Sequence, residues 1–536
     1  MWLWRARHRA HLRSLAMTSV RLTADQVRGM SMPEQYEWYR KETSRRALLR
    51  GGLVGAGALV AGAAGLPGAA NAAPRTPALL TTPDRPAGKL VVPFGRHLSF
   101  GADPTTQAAV AWQVASPVDR PFVRIGTSPH DLGERIDAEV RALTTHLSDT
   151  QPVDSVPPAA PATIEQYYLH ASIGHLRPGQ TYYYRVGHTG WDGRDPAVHS
   201  FTTAPRDRRP FTFTAFGDQG ISYDAVSTAN LVRAQSPAFH LHAGDVSYAE
   251  GTGHGLISDS YDPRVWDSFF TQVESVASTV PWQIASGNHE MEPWYSPDGN
   301  GGLLARFDFP QQKTYYSFNY GNVAVISLDA NDVSYEIPAN LGYTAGNQVS
   351  WLEHQLAAAR RQPGIDFVVV YFHHCAYCTC TSHASDGGIR EHWTPLFDKY
   401  GVDLVITGHN HIYERTDPIR GGTATGAAPI GATVTAARQG TTYITAGGAG
   451  NSLYAFGASD SYEGHVTPVS EIASWVSRSG QTKVNETVTW SRVRYTGYCL
   501  LVLDSHPAPH GGTSTLTVRG LSGDGAEIDR VVLAAR

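Results

Sequence analysis

The chain has few cysteines, no long block of like charge and no internal repeat. Its formal net charge is −5 over 536 residues, and neither a basic nor an acidic cluster stands out. This argues against nucleic-acid binding through phosphate neutralisation. The length exceeds what one hydrophobic core supports, so two or more domains are expected. Plentiful glycine (53), proline (33) and tyrosine (25) favours a strand-rich, loop-rich architecture over a helical bundle.

The four cysteines say little about function. Cys375, Cys378 and Cys380 lie close together, and in an exported protein a local disulfide is plausible. Their spacing beside His373 also allows a zinc site, but no second Cys/His pair at zinc-finger spacing accompanies them. We therefore expect a structural disulfide or free thiols. Cys499 lies in an apolar run and is expected in the core.

The N-terminal region predicts export. The run Ser44-Arg45-Arg46-Ala47-Leu48-Leu49 is a twin-arginine pattern, an uncharged stretch extends from Gly51 to about Ala70, and Ala70-Asn71-Ala72 offers a small-x-small cleavage site. Residues 1–73 are thus predicted to be a signal peptide read by the twin-arginine export machinery. The mature protein would be secreted or extracytoplasmic, with no stable membrane association. The alternative is an uncleaved membrane anchor, since the stretch approaches spanning length.

Composition divides the remaining chain into three parts. Residues 74–88 are rich in Pro and Thr and are predicted to be a linker. Residues 89–205 show short alternating strands separated by turns, typical of an antiparallel sandwich. In residues 206–536 apolar strands alternate with helix-like segments such as 351–361, which predicts an α/β (α+β) layered core of β-sheets flanked by helices. The chain returns to strands beyond about residue 440.

Five short polar motifs follow five apolar runs in this last region. Asp218 follows residues 211–216, Asp245 follows 238–242, Asn288 follows 282–285, His373 follows 367–372 and His409 follows 402–407. Each motif alone is weak, because polar residues at strand ends are usually turn formers. Five in order predict ligands gathered along one edge of a sheet, where open α/β folds bind their ligands.

The donor types in these motifs indicate the chemistry. Carboxylates, a phenol (Tyr248), an amide and imidazoles, among them His411, are ligands for two adjacent hard-to-borderline metal ions. Two ions about 3.5–4 Å apart can stabilise both the attacking and the leaving oxygen of a phosphoryl displacement. The sequence therefore predicts a two-metal phosphoester hydrolase.

The series Gly-Asp-x-Gly, Gly-Asp-x-x-Tyr, Gly-Asn-His-Glu, Val-x-x-His and Gly-His-x-His (starting at Gly217, Gly244, Gly287, Val370 and Gly408) resembles the purple acid phosphatases of the metallophosphoesterase superfamily. The resemblance covers about residues 210–415. The block at 89–205 is similar to the fibronectin type III-like domain of the larger, plant-type members. The resemblance implies a calcineurin-like metallophosphoesterase fold and hydrolysis of a small phosphate-ester substrate by a metal-bound hydroxide.

The resemblance also implies residue roles. Asp218, Tyr248 and His411 would hold the first metal, Asn288, His373 and His409 the second, and Asp245 would bridge both. A phenolate ligand implies Fe(III) in the first site, with Zn, Mn or Fe(II) in the second. His289 would donate to the substrate or protonate the leaving alkoxide, and His383 would contact substrate. If the fourth motif slipped by one residue, His374 would replace His373, but His373 directly ends the apolar run and is favoured.

The activity itself has three interpretations. An acid phosphatase acting on monoesters is favoured, and a phosphodiesterase using the same metal site is the neighbouring alternative. A metal-stabilised, non-catalytic binding protein is disfavoured, because a binding module has no need of His289 as a general acid.

Overall fold

The computed structural model describes residues 22, 24–53, 90–146, 163–193, 197–457, 472–477, 483–509 and 512–536. The predicted linker at 74–88 and the predicted cleavage site at 70–72 lie outside these residues. Among the described helices, none combines the length and apolar character that crossing a membrane requires.

In the described part of the N-terminal region two helices precede the first strand, α1 (Ala24–Arg28) and α2 (Met32–Leu53). The first part of α2 packs against the body of the protein. Met32 is 1% exposed and clusters with Met291 and Ile337, while Gln35 accepts a hydrogen bond from Ile257 N at 2.6 Å. Part of the region predicted as an export signal is thus packed on the fold.

The first domain is an all-β sandwich, as predicted. One sheet has the order β1-β2-β6-β5 and the other β4-β3-β7-β8, with a shared core that includes Trp112, Leu169 and Tyr184. The strands are β1 (Phe94–Phe100), β2 (Ala108–Val114), β3 (Phe122–Gly126), β4 (Glu134–Asp137), β5 (Glu139–His146), β6 (Thr163–Ile173), β7 (Thr181–Gly187) and β8 (His199–Thr202).

The second domain contains two seven-stranded mixed sheets. The first has the order β11-β10-β9-β25-β26-β27-β20 and the second β12-β13-β14-β16-β21-β17-β24. Two small sheets, β15-β22-β23 and β18-β19, lie outside them. The strands are β9 (Phe211–Phe216), β10 (His240–His242), β11 (Trp282–Ile284), β12 (Tyr316–Tyr320), β13 (Val323–Ser327), β14 (Phe367–Tyr371), β15 (Ser385–Asp386), β16 (Leu404–Thr407), β17 (Tyr413–Thr416), β18 (Ile419–Arg420), β19 (Thr423–Ala424), β20 (Thr433–Val434), β21 (Thr442–Ala446), β22 (Ile472–Val476), β23 (Lys483–Thr487), β24 (Ser491–Tyr495), β25 (Cys499–His506), β26 (Thr515–Ser522) and β27 (Glu527–Ala534).

Seven α-helices accompany these strands in the described part of the second domain. They are α3 (Tyr223–Ala234), α4 (Arg264–Ala277), α5 (Gly301–Arg306), α6 (Asn347–Arg361), α7 (Gly387–His392), α8 (Thr394–Tyr400) and α9 (Ala436–Gln439). The helix predicted at 351–361 starts four residues earlier, after Gly346, whose φ of 83° lies in the left-handed region that glycine tolerates. The layered arrangement of sheets and helices is therefore confirmed.

The five strands that precede the polar motifs pair in parallel with one another but belong to two sheets. β9, β10 and β11 pair in parallel in the first sheet, and β14 and β16 pair in parallel in the second. The expectation of one sheet edge is therefore wrong. All five residues of β14 are buried, which suits a central parallel strand covered on both faces. The carboxyl ends of these five strands converge on one place.

A polar interface joins the two domains. Gln113 and Gln166 donate to Asp267 at 2.8 and 2.6 Å, and Arg141 donates to Asp308 at 2.7 Å. Asp267 lies on α4, which packs on β1. The sandwich domain is thereby fixed against the second domain.

The predicted core position of Cys499 is confirmed, since it is fully buried on β25. Cys375, Cys378 and Cys380 are also buried, and all four cysteines are free thiols. None of them belongs to a potential metal-ligand group among the described residues.

Candidate metal centre

Asp218, Tyr248 and His411 come together at the ends of β9, β10 and β16. The Tyr248 hydroxyl donates to Asp218 Oδ1 at 3.2 Å and lies 2.9 Å from His411 Nε2, which is 3.4 Å from Asp218 Oδ1. His411 Nδ1 donates to the carbonyl of Ser452 at 2.6 Å. Since a carbonyl takes the proton of one ring nitrogen, the other is left facing the cluster. Three of the predicted ligands thus present oxygen and nitrogen atoms to one point.

A second group lies beside the first. His373 Nε2 is 3.0 Å from Asp245 Oδ2 and 3.2 Å from His409 Nδ1. The ligand atoms of Asp245, His373 and His409 all lie within 4.8 Å of one another. His373 Nδ1 donates to the carbonyl of Ala243 at 2.8 Å, which again turns the other ring nitrogen inward.

Asn288 adds an unused acceptor to this second group. Its Nδ2 donates to the carbonyl of Gly253 at 3.1 Å, whereas the buried Oδ1 has no hydrogen-bond partner among the described residues. A buried acceptor without a partner costs free energy unless another group satisfies it. A metal ion would do so, and the combination of carboxylate, phenol, amide and imidazole donors fits two such ions.

Four of the predicted ligands have a left-handed backbone. Their φ angles are 62° at Asp218, 53° at Asp245, 59° at Tyr248 and 68° at His409. Non-glycine residues rarely adopt this conformation, and such strain concentrates at functional sites. The chain therefore tolerates strain at the positions where the side chains must converge.

The neighbouring glycines allow that convergence. A Cβ at Gly287 would collide with Asp245 Oδ1 and with its backbone nitrogen, and a Cβ at Gly408 would collide with Asp218 Oδ2. Any side chain at these positions would push apart the carboxylates of the two groups. These glycines are needed for the close approach of loops from two sheets.

Burial and charge shift the pKa values in the centre. Although burial lowers it, the carboxylates of Asp245 and Asp218 raise the pKa of His373 to about 10. Burial, together with the neighbouring Asp245, raises the pKa of Glu290 to about 8. Burial and the two aspartates raise the pKa of the Tyr248 phenol well above its usual value. The phenol therefore stays protonated unless a cation lies next to it.

His373 and His374 occupy different environments. Both are fully buried, but the ring nitrogens of His374 have no hydrogen-bond partner among the described residues. Burial lowers the pKa of His374 well below its usual value. Of the two neighbours, His373 is the one whose nitrogen lies within hydrogen-bond distance of Asp245, as the favoured register requires.

A cavity of about 580 Å³ opens above both groups. Its lining includes the two histidines predicted to act on substrate: His289, 13% exposed, and His383, 29% exposed. The backbone N–H of His289 donates to Asp245 Oδ1 at 3.0 Å. Burial lowers the pKa of His289. The volume and polar floor suit a small ligand with a charged head group.

Two residues of the site have no role in the sequence interpretation. Glu290 accepts from the backbone nitrogens of Asp245, Val246 and Gly287, each at 2.8 Å, and so fixes the loop that carries Asp245. Glu290 is the last residue of the Gly-Asn-His-Glu motif, so the sequence did contain an indication that it belongs to the site. Glu336 lies in the cavity wall in a segment without any motif.

The comparisons with known proteins agree with this geometry. Residues 93–203 match the family model described as the N-terminal domain of purple acid phosphatase, and residues 211–413 match that of calcineurin-like phosphoesterase. An uncharacterised protein of Mycobacterium tuberculosis is 32% identical over 91% of this chain and 94% of its own length. Purple acid phosphatase 18 of Arabidopsis thaliana is 28% identical over 64% of this chain and 70% of its own length.

A solved structure supports the fold. Purple acid phosphatase PPD1 from yellow lupin (Lupinus luteus) seeds matches with a TM-score of 0.60 and 22% identity, covering 83% of this chain and 74% of that one. At this identity the likeness concerns the fold, and it includes the predicted metallophosphoesterase architecture.

Proposed function

This chain belongs to the purple acid phosphatase family, and on that premise we propose that it is an acid phosphatase that hydrolyses phosphate monoesters. The observation that carries the proposal is the pair of ligand groups at the floor of one cavity. Asp218, Tyr248 and His411 form one group, and Asp245, His373 and His409 form the other.

The family implies a dinuclear metal centre. We assign Asp218, Tyr248 and His411 to the first ion, Asn288, His373 and His409 to the second, and Asp245 to both. The phenol favours Fe(III) in the first position, with Zn, Mn or Fe(II) in the second. Two ions held there would activate the attacking water and stabilise charge on the phosphoryl oxygens.

The cavity histidines perform the remaining steps. His289 Nε2 lies 3.8 Å from Asp245 Oδ2, beside the second ligand group, where it can donate a proton to the leaving alkoxide. His383, at the more exposed side of the cavity, can donate a hydrogen bond to a phosphoryl oxygen. Both side chains can thus hold the substrate phosphate over the ligand groups.

We further propose export through the twin-arginine machinery, with activity in a secreted or extracytoplasmic form free of the membrane. The support is the Ser44–Leu49 pattern and the uncharged stretch after it. A protein that folds before transport can acquire its metal ions in the cytoplasm.

The phosphodiesterase alternative uses the same metal site, and the cavity volume accommodates a second ester substituent.

Purified full-length protein should be analysed for metal content and assayed with p-nitrophenyl phosphate and bis(p-nitrophenyl) phosphate across pH. We expect about two metal ions per chain and faster acid-side turnover of the monoester, lost on chelation and restored by iron plus a divalent ion. Faster turnover of the diester would favour the alternative. Absence of turnover with both ions bound would refute a phosphoesterase.

A further inference from the structure

A single carboxylate, Glu336, lies between two histidines of the centre. Its Oε1 is 3.1 Å from His383 Nδ1 and its Oε2 is 3.2 Å from His409 Nε2. The side chain is 13% exposed and belongs to the cavity wall. An unpaired carboxylate here would repel an anionic substrate, but two imidazoles face its oxygens.

The two nitrogens of the His409 ring face in different directions. Nδ1 is 3.2 Å from His373 Nε2, on the side of Asp245, whereas Nε2 faces Glu336. A neutral imidazole has one N–H donor and one free nitrogen. If Glu336 accepts the Nε2 proton, Nδ1 is left to bind a metal. A carboxylate in this position sets both the tautomer and the orientation of the ring.

The backbone that carries Glu336 is itself fixed. The fully buried Asp386 accepts from Glu336 N at 3.1 Å, from Tyr335 N at 3.0 Å and from the Ser334 hydroxyl at 2.7 Å. The same carboxylate caps the start of α7 through Gly388 N at 2.7 Å. The position of Glu336 is therefore defined by structure outside the metal ligands.

We propose that Glu336 is a positioning residue that orients His409 toward the second metal ion and holds His383 at the substrate side of the cavity. The inference rests on the proposed metal centre. Within the described residues Glu336 contacts His383 and His409 but not Asp218, Tyr248 or His411, so its effect should be confined to the second ion.

The test is a competitive-chelator titration of Zn(II) binding to full-length protein whose first site is loaded with iron. In Glu336→Ala the affinity for Zn(II) should fall by about 10–100-fold, the usual effect of losing such a partner. Glu336→Gln keeps one acceptor oxygen, so its affinity for Zn(II) should fall less. Iron content should be unchanged in both variants.

His383→Ala is the matched control, because it removes the other partner of Glu336 and leaves the contact with His409. Its Zn(II) affinity should equal that of the wild type, while its KM for p-nitrophenyl phosphate should rise. Wild-type Zn(II) affinity in Glu336→Ala, or an equal loss in His383→Ala, would overturn the proposal. If Glu336→Ala does not fold, Glu336→Gln carries the test, and wild-type affinity there overturns it. Since the readout is binding, it is independent of whether the loaded protein hydrolyses monoesters.

Discussion

The contact between the two domains should lose stability when Asp308 is changed to Asn. The Asp308 carboxylate, 14% exposed, accepts from Arg141 Nη2 at 2.7 Å and lies 2.8 Å from His170 Nδ1. Both partners belong to the sandwich domain, on β5 and β6. Asparagine has the same shape but no charge, so it keeps the packing and removes the ionic part of the contact.

The magnitude follows from the pKa of Asp308. Although burial raises it, the hydrogen bond and charge of His170 and the charge of Arg141 lower this pKa from 3.8 to about 2. That difference corresponds to about 2.4 kcal/mol at neutral pH. Because the pKa is depressed in the folded state, the contribution is complete well above pH 3.8 and is lost as the pH falls toward 2. At pH 3 about 1.3 kcal/mol remains.

Urea unfolding followed by tryptophan fluorescence at pH 7, 5 and 3 measures this difference. Asp308→Asn should reduce the free energy of unfolding by about 2 kcal/mol at pH 7 and by about half as much at pH 3. The control is Asp207→Asn, since Asp207 and its partner Arg209 are 62% and 57% exposed and an exposed pair contributes little. An equal loss at pH 7 and pH 3 would refute the electrostatic argument.

Three further predictions concern the metal centre. Tyr248→Phe in iron-loaded protein should lose its visible charge-transfer absorption band, and an unchanged spectrum would contradict phenolate ligation. His373→Ala should lose one metal ion by elemental analysis while His374→Ala keeps both; the reverse result would assign the ligand to His374. His289→Ala should keep both ions but lower kcat by about 10²–10⁴-fold, the range for a general acid–base group, and a wild-type kcat would remove that role.

The placement of the candidate ligands at strand ends could be predicted because each position depends on local sequence. A buried parallel strand ends where its apolar run ends, so the next polar residue lies at the sheet edge. β14 ends at Tyr371 and β16 at Thr407, and His373 and His409 follow within two residues. Parallel alignment then brings the two histidines together without further information.

The division into two sheets could not be predicted in this way. Which strands are neighbours depends on long-range pairing, and β25, near the end of the chain, pairs antiparallel with β9. An apolar run indicates that a strand is buried, but it does not indicate which strand pairs with it. The role of Glu336 could not be predicted for the same reason, because its partner His409 is distant in sequence and the residues around Glu336 form no motif.

The N-terminal region also makes long-range contacts that could not be predicted from the sequence. Its twin-arginine pattern is local and predicts export, but it gives no information about the contacts made by the residues that precede it in the chain. Val27 and Tyr39 belong to the main core cluster. Gln35 accepts a hydrogen bond from Ile257, which follows the cavity-wall residues Thr252 and His254 in sequence. Cleavage after Ala72 would remove these contacts together with the signal. A chain cleaved there and an uncleaved chain should therefore differ around Ile257, three residues after His254 of the cavity wall.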